Sequence, residues 1–225
     1  MRSAHPRLAI LLLALALAPA AQAALDLNAL WDFGNPALSE QRFREALAAA
    51  ENDQRHDEAL ILQTQIARTL GLRRQLDEAR ALLRSLEPRL AQAGAEARAR
   101  HALEWGRNHI SAVTRPAERT PQNLAEARAA GTRALATAQE AGLEGLAIVA
   151  VHLMAFVDEA PAEQRRWNEQ ALAMVLASSQ PDGRRWEASI RNNLGLSLRA
   201  LGQHAESLPH LSLIHISEPT RQRQP

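Results

Sequence analysis

Cysteine, lysine and tyrosine are missing from this 225-residue sequence, and aromatic residues make up only 3% of it. The lack of cysteine excludes disulfides, thiolate-bound metals and a lipid-modified amino terminus. Every basic side chain is arginine, which reads as a mark of a GC-rich genome rather than of any chemistry. The formal charge is only +1 and falls once a basic leader is removed, so nothing in the charge balance points to nucleic acid. No phosphate-cradling glycine loop, no Gly-x-Ser-x-Gly elbow and no His-Glu-x-x-His motif occurs. His101 and Glu104 share a helix face with His109 two turns on, but no third ligand is visible, so they read as surface or groove histidines beside an acid. Asp158-Glu159 lies at a helix end and reads as solvated or capping. No cofactor is expected.

Hydrophobic residues make up 46% of the chain, and alanine is the commonest residue. Alanine is the best helix former and lets neighbouring helices come close, so the composition predicts an all-α fold of tightly packed helices. The first 23 residues form a separate unit. Arg2 and Arg7 precede an apolar run from Leu8 to Ala18, and Ala21-Gln22-Ala23 follows as an Ala-x-Ala cleavage site. This order predicts a cleaved secretory signal peptide, because the run is shorter than the roughly 20 residues that span a bilayer. An uncleaved anchor is the alternative. No later segment is long and apolar enough to span, so the mature chain is expected in the periplasm or outside the cell.

From Ala24 onward the segment 24–39 reads as a cap, with Trp31 and Phe33 covering the open end of the first helices and Gly34-Asn35-Pro36 making a turn. Ser39 is expected to cap a helix running to about Ala50, on which Phe43 and Leu47 stand four apart. Pairs of helices follow, at 57–70 with 76–90, 95–113 with 121–141, and 143–157 with 161–178. Leu62, Ile66 and Leu70 form one inward stripe, Leu76, Ala79, Leu83 and Leu86 another, and Leu124, Ala127, Ala134 and Ala138 a third. Gly71 and Gly142 read as helix stops, and Ser179 to Gly183 as a break. Trp105, Trp167 and Trp186 are expected to fill gaps between pairs.

The last pair is the clearest. Leu194, Leu198 and Leu201 stand at i, i+4 and i+7, and Gly202 follows as a stop before a second helix entering with Ser207. Gly195 costs up to about 1 kcal/mol inside a helix, which close contact with the second helix would offset. Leu194-Gly195, Leu198, Gly202 and Ser207 closely resemble the tetratricopeptide repeat, whose leucine-glycine, large, glycine and small positions they occupy in order. The sequence departs from that pattern at Leu198 and His204, where aromatic rings are usual, and at Pro209 early in the second helix. Successive first helices are spaced by about 40 to 47 residues, longer than the standard unit but within the range of helical-hairpin arrays.

The resemblance implies a right-handed superhelical stack of antiparallel helix hairpins over residues 40–210, with a concave groove lined by the first helix of each pair. Carried over from the small positions Ala67, Gly106 and Gly195, it implies that Thr64, Arg68, Arg107, Asn192 and Arg199 face that groove. Asn and Arg can hold a peptide backbone or a carboxylate, which fits an extended or acidic segment of an unidentified partner protein. The expected function is a non-enzymatic scaffold of the bacterial envelope. The alternatives are the helical part of a larger envelope enzyme and a small metal-binding helical protein.

Residues 211–225 do not read as part of this design. Leu211 to Arg221 resembles the in-frame translation of the adaptor used in transposase-based sequencing libraries and begins partway through the second helix of the last pair. The expectation is that the natural protein departs from this sequence near His210 and continues with further repeats.

Overall fold

The structure, a computed structural model, describes residues 25–212. The expected leader at 1–23 and most of the adaptor-like tail, 213–225, lie outside the described residues. Among the described residues there is no strand, and helices follow one another throughout: α1 (Leu27–Leu30), α2 (Pro36–Asn52), α3 (His56–Leu72), α4 (Leu76–Leu90), α5 (Ala95–Arg107), α6 (Pro121–Glu140), α7 (Glu144–Val157), α8 (Pro161–Ala177), α9 (Pro181–Arg184), α10 (Glu187–Ala200) and α11 (His204–Ser212). From α2 onward each long helix packs on the next in sequence, except that α10 reaches back past short α9 to α8. The main further contact joins α3 to α5. No described helix is long and apolar enough to cross a membrane.

Because contacts stay between neighbours, the interior is a row of small clusters. Phe43, Leu62, Ile66 and Leu70 fill the first, Leu103, Val149 and Leu153 a middle one, and Ile148, Leu172, Ile190, Leu194 and Leu198 the last. Alanines at Ala127, Ala130, Ala134 and Ala138 form a fully buried stripe on α6. Their short side chains let α6 lie close to α5 and α7. Leu201, expected on the inward stripe of α10, is 38% exposed because α10 stops at Ala200 and Leu201 caps it.

One turn geometry recurs at four places. At Gln54, Arg74, Gly142 and Gly202 the backbone is left-handed, with φ of 58°, 66°, 66° and 76°. At each, two bonds close the preceding helix: Arg55 N to Ala50 O with Gln54 N to Glu51 O, Gln75 N to Leu70 O with Arg74 N to Gly71 O, Leu143 N to Ala138 O with Gly142 N to Gln139 O, and Gln203 N to Leu198 O with Gly202 N to Arg199 O. This is the Schellman arrangement, which satisfies the orphan carbonyls of a helix end. The next helix begins two residues after the left-handed one, so the chain reverses within a few residues.

Gly142 and Gly202 therefore stop helices as expected, and Gly71 does not. It lies inside α3, and a Cβ there would stand 2.5 Å from Asn108 Oδ1. Its lack of a side chain admits Asn108 of α5, while Arg74 takes the left-handed position. Ser39 is likewise not the cap of α2. Asn35 Oδ1 accepts from Leu38 N at 3.2 Å and Pro36 opens the helix, leaving Ser39 buried with its hydroxyl bonded to the Asp32 backbone. Proline suits the first helical position, and that shifts the start by one turn. The helix expected to reach Val113 ends at Arg107, where Asn108 folds its side-chain amide back onto the Glu104 carbonyl at 2.9 Å. The break expected at 179–183 contains the short helix α9.

Glycines mark the close crossings. A Cβ at Gly106 would meet Leu153 at 2.7 Å and the Ala127 carbonyl at 3.4 Å, so α5 presses on both α6 and α7. At Gly195 it would meet Leu211 at 2.7 Å and His210 Cβ at 3.4 Å, so the close neighbours on α11 are these two rather than Ser207. Gly195→Leu is expected to lower stability by about 1–3 kcal/mol through overpacking, read as a drop in Tm. An unchanged Tm would show that α10 and α11 can separate freely.

Candidate functional site

α3, α5, α7 and α10 each turn one face toward a shared groove, which holds adjoining cavities of about 300, 150 and 670 Å3. Arg68 of α3 and Trp186 at the start of α10 line all three. The smallest spacing pattern explains the rest. Arg100, Leu103, Glu104 and Arg107 on α5, Val149, His152, Leu153 and Phe156 on α7, and Trp186, Ser189 and Asn193 on α10 all follow the three- and four-residue steps of one helix face.

The segment from Leu25 to Phe33 walls the largest cavity. Asn28 of α1 bridges to the other end of the chain, donating to Asp182 Oδ1 at 3.5 Å and accepting from Arg185. Trp31 packs edge-on against the buried Phe43 at 5.0 Å and stacks on Phe33 at 4.6 Å, with their planes 1° apart. Its indole N–H donates to Gln65 Oε1 at 3.2 Å. The Arg68 guanidinium lies 5.1 Å from the Trp31 ring centroid and 5.3 Å from that of Phe33. The rings thus cap the first hairpin and wall the groove at once.

Cations lining the groove are paired, with one exception among the described residues. Arg100 meets Glu96 at 2.8 Å, Arg107 meets Glu104 at 2.5 Å, and Arg185 stands 3.9 Å from Asp182. The Arg68 side chain has no ion pair and no hydrogen bond among the described residues and lies over the Trp31 and Phe33 rings. Burial, then the positive field of Arg107, pushes its pKa down to about 9, with Glu104 pulling the other way. At neutral pH the guanidinium is still charged, so the displacement expresses the cost of keeping a cation there. Cation–π attraction to Trp31 and Phe33 offsets part of that cost. None of its five N–H donors has an acceptor among the described residues.

Glu104 has the converse shortage. It is 2% exposed, and its Oε2 is buried without a hydrogen-bond partner, as is Asn108 Oδ1 beside it. Both oxygens are sealed within the packing, Asn108 Oδ1 against Gly71, so the unmet group that the groove offers is the Arg68 cation.

His152, on the α7 wall, accepts from Asn193 Nδ2 at 2.5 Å through Nε2, which requires the neutral ring. Burial, helped by Arg107, pushes its pKa down to about 4. Burial also lowers His101 and His109, which bond the Leu83 and Trp105 carbonyls. Unfolding restores the ordinary value near 6.5. The unfolded chain then holds more protons between about pH 6.5 and pH 4, so stability present above that window is lost as pH falls through it. Denaturant titrations at pH 7.5 and pH 4.5 are expected to show this loss, and His152→Gln to shrink it. An equal loss in the variant would place the titration elsewhere.

The structure gathers only two of the five residues expected to face the groove. Arg68 and Arg107 line it. Thr64 is fully buried, its hydroxyl donating to the Ile61 carbonyl at 2.6 Å, and so faces the interior. Asn192 is partly exposed outside the cavities, bonded to its neighbour's Asn193 Oδ1 at 3.4 Å, and Arg199 is exposed on the outer side. One residue along a helix rotates the side chain by about 100°, which is why Asn193 points inward and Asn192 does not. The Trp186, Ser189, Asn193 spacing was readable as the face beside the Ile190, Leu194, Leu198 stripe. Trp105 and Trp167 bond Glu126 and Asp158 at 3.1 and 2.5 Å, outside the groove. Asp158 also pairs with Arg128 at 2.5 Å, which makes it a structural bridge. No family model matches the chain, and no curated protein matches it.

Proposed function

We propose that this chain is a tetratricopeptide-like α-solenoid of the bacterial envelope that holds an acidic segment of a partner polypeptide in its groove and catalyses no reaction. The observation that carries the reading is Arg68, a cation kept in a partly buried site with neither acid nor hydrogen-bond acceptor. Its fork suits a carboxylate, and the adjoining cavities give an extended chain room on either side. Sequential helix packing and the recurring Schellman turns support a hairpin array, whose surplus of concave surface serves binding. The leader-like first 23 residues support export.

The test is a binding titration with capped ten-residue peptides, one rich in Asp and Glu and one with each acid replaced by its amide. Saturable binding of the acidic peptide, weakened at least tenfold in the amide peptide and by raised salt, is the expected result. No saturable binding of acidic peptides, or equal binding of the amide form, would overturn the reading.

A further inference from the structure

The cavity next to Arg68 is chemically two-sided. One side is Arg68 itself. The other is an apolar chamber of about 300 Å3 made by Val149, Leu153 and Phe156 of α7, with Trp186 and the exposed Val113 at its edges. Glu104 and Asn108 complete the wall, Glu104 through its pair with Arg107. An acid alone would satisfy Arg68 and leave the apolar wall wet. A fatty acid has the carboxylate and the apolar tail, but its carboxylate ends the molecule and leaves the other two cavities that meet at Arg68 empty, whereas a side-chain carboxylate lets a polypeptide run on through them.

Resting on the reading of the groove as an acidic-segment site, we infer that the recognised unit is an acidic residue adjacent to a large aliphatic residue within a polypeptide. The carboxylate takes the Arg68 fork, the aliphatic side chain enters the Val149–Leu153–Phe156 chamber, and the backbone continues into the adjoining cavities. The chamber is large enough for one such side chain and its backbone. The cavity of about 670 Å3 on the far side of Arg68 mixes charged residues, Glu96, Arg100, Asp182 and Arg185, with the Trp31 and Phe33 rings, and holds the residues that flank the pair. Specificity then comes from two neighbouring contacts of opposite character, either of which alone is weak.

The test uses the full chain and capped six-residue peptides in a Ser-Gly background carrying Asp-Leu or Leu-Asp, with Asn-Leu, Asp-Ser and sodium octanoate as comparisons, read by Trp fluorescence and calorimetry. The acidic-aliphatic peptides are expected to bind at least tenfold tighter than Asn-Leu, Asp-Ser or octanoate. Arg68→Gln is expected to erase the preference for Asp over Asn while keeping that for Leu over Ser. Val113→Ser, at an exposed position that leaves the core intact, is expected to weaken the Leu preference alone. Equal binding of Asp-Leu and Asp-Ser would overturn the inference and leave the acidic-segment reading standing. Equal binding of octanoate would overturn it in favour of a fatty acid ligand. Binding of only a free-carboxylate form, and not the amidated peptide, would overturn it in favour of a chain terminus. Failure of every acidic peptide would remove both readings.

Discussion

Arg68→Met is expected to make the protein more stable and to weaken acidic-peptide binding sharply. Methionine replaces the apolar stem of the side chain and sets its thioether end toward Trp31 and Phe33, without the cation that burial and Arg107 disfavour. Exchanging a poorly solvated charge for a well-packed apolar group commonly gains about 1–3 kcal/mol. For a chain of this size each kcal/mol moves Tm by about 2–4 °C. Peptide affinity is expected to fall by about a hundredfold, the scale on which charge-assisted fork contacts operate. Arg68→Lys keeps the charge but loses the fork, so it is expected to bind with intermediate affinity and to show little gain in stability. A lower Tm for Arg68→Met would mean that the guanidinium holds the fold together, and the argument from an unpartnered cation would end there.

Phe43→Ala should produce the largest loss of stability, about 3–5 kcal/mol in a denaturant titration. Phe43 is fully buried between α2 and α3 with Leu62 and Ile66, and Trp31 leans on its edge at 5.0 Å. Emptying that site leaves a cavity beneath the ring that carries Arg68. Peptide affinity should therefore weaken at temperatures where the protein remains folded, because Arg68 loses the surface that orients it. Phe43→Leu refills most of the volume and should recover most of both losses. A variant that loses stability but binds peptide normally would show that Trp31 is held in place by Gln65 and Phe33 alone.

The helical character and nearly every helix of this protein were legible in the residues. Alanine-rich segments with leucines at three- and four-residue steps, interrupted by proline, glycine and polar clusters, define hairpins by local rules of periodicity and termination. Gly142 and Gly202 needed no tertiary information, since a left-handed residue at a helix end selects glycine on conformational grounds. Where glycine is absent from the same turn, at Gln54 and Arg74, the turn could not be read from residue type, and the neighbouring Gly71 was mistaken for it.

The groove was legible only in part, for a geometric reason. Periodicity gives the buried stripe of a helix, but each of these helices has several other faces, and which one looks inward depends on the rotation of the whole element. Arg68 and Arg107 line the cavities beside the small residues Ala67 and Gly106. Asn193 and Trp186 needed the observed orientation of α10, and Thr64 fell on the wrong side of α3. What the sequence by itself determined was local: where helices start, where they stop and which stripe each buries. Arg100, Arg107 and Arg185 each pair with an acid three or four residues away, as local spacing allows, but it was the tertiary packing that set Arg68 against Trp31 and Phe33 and brought it no acid from another helix, because which faces of distant helices meet is encoded by no local rule.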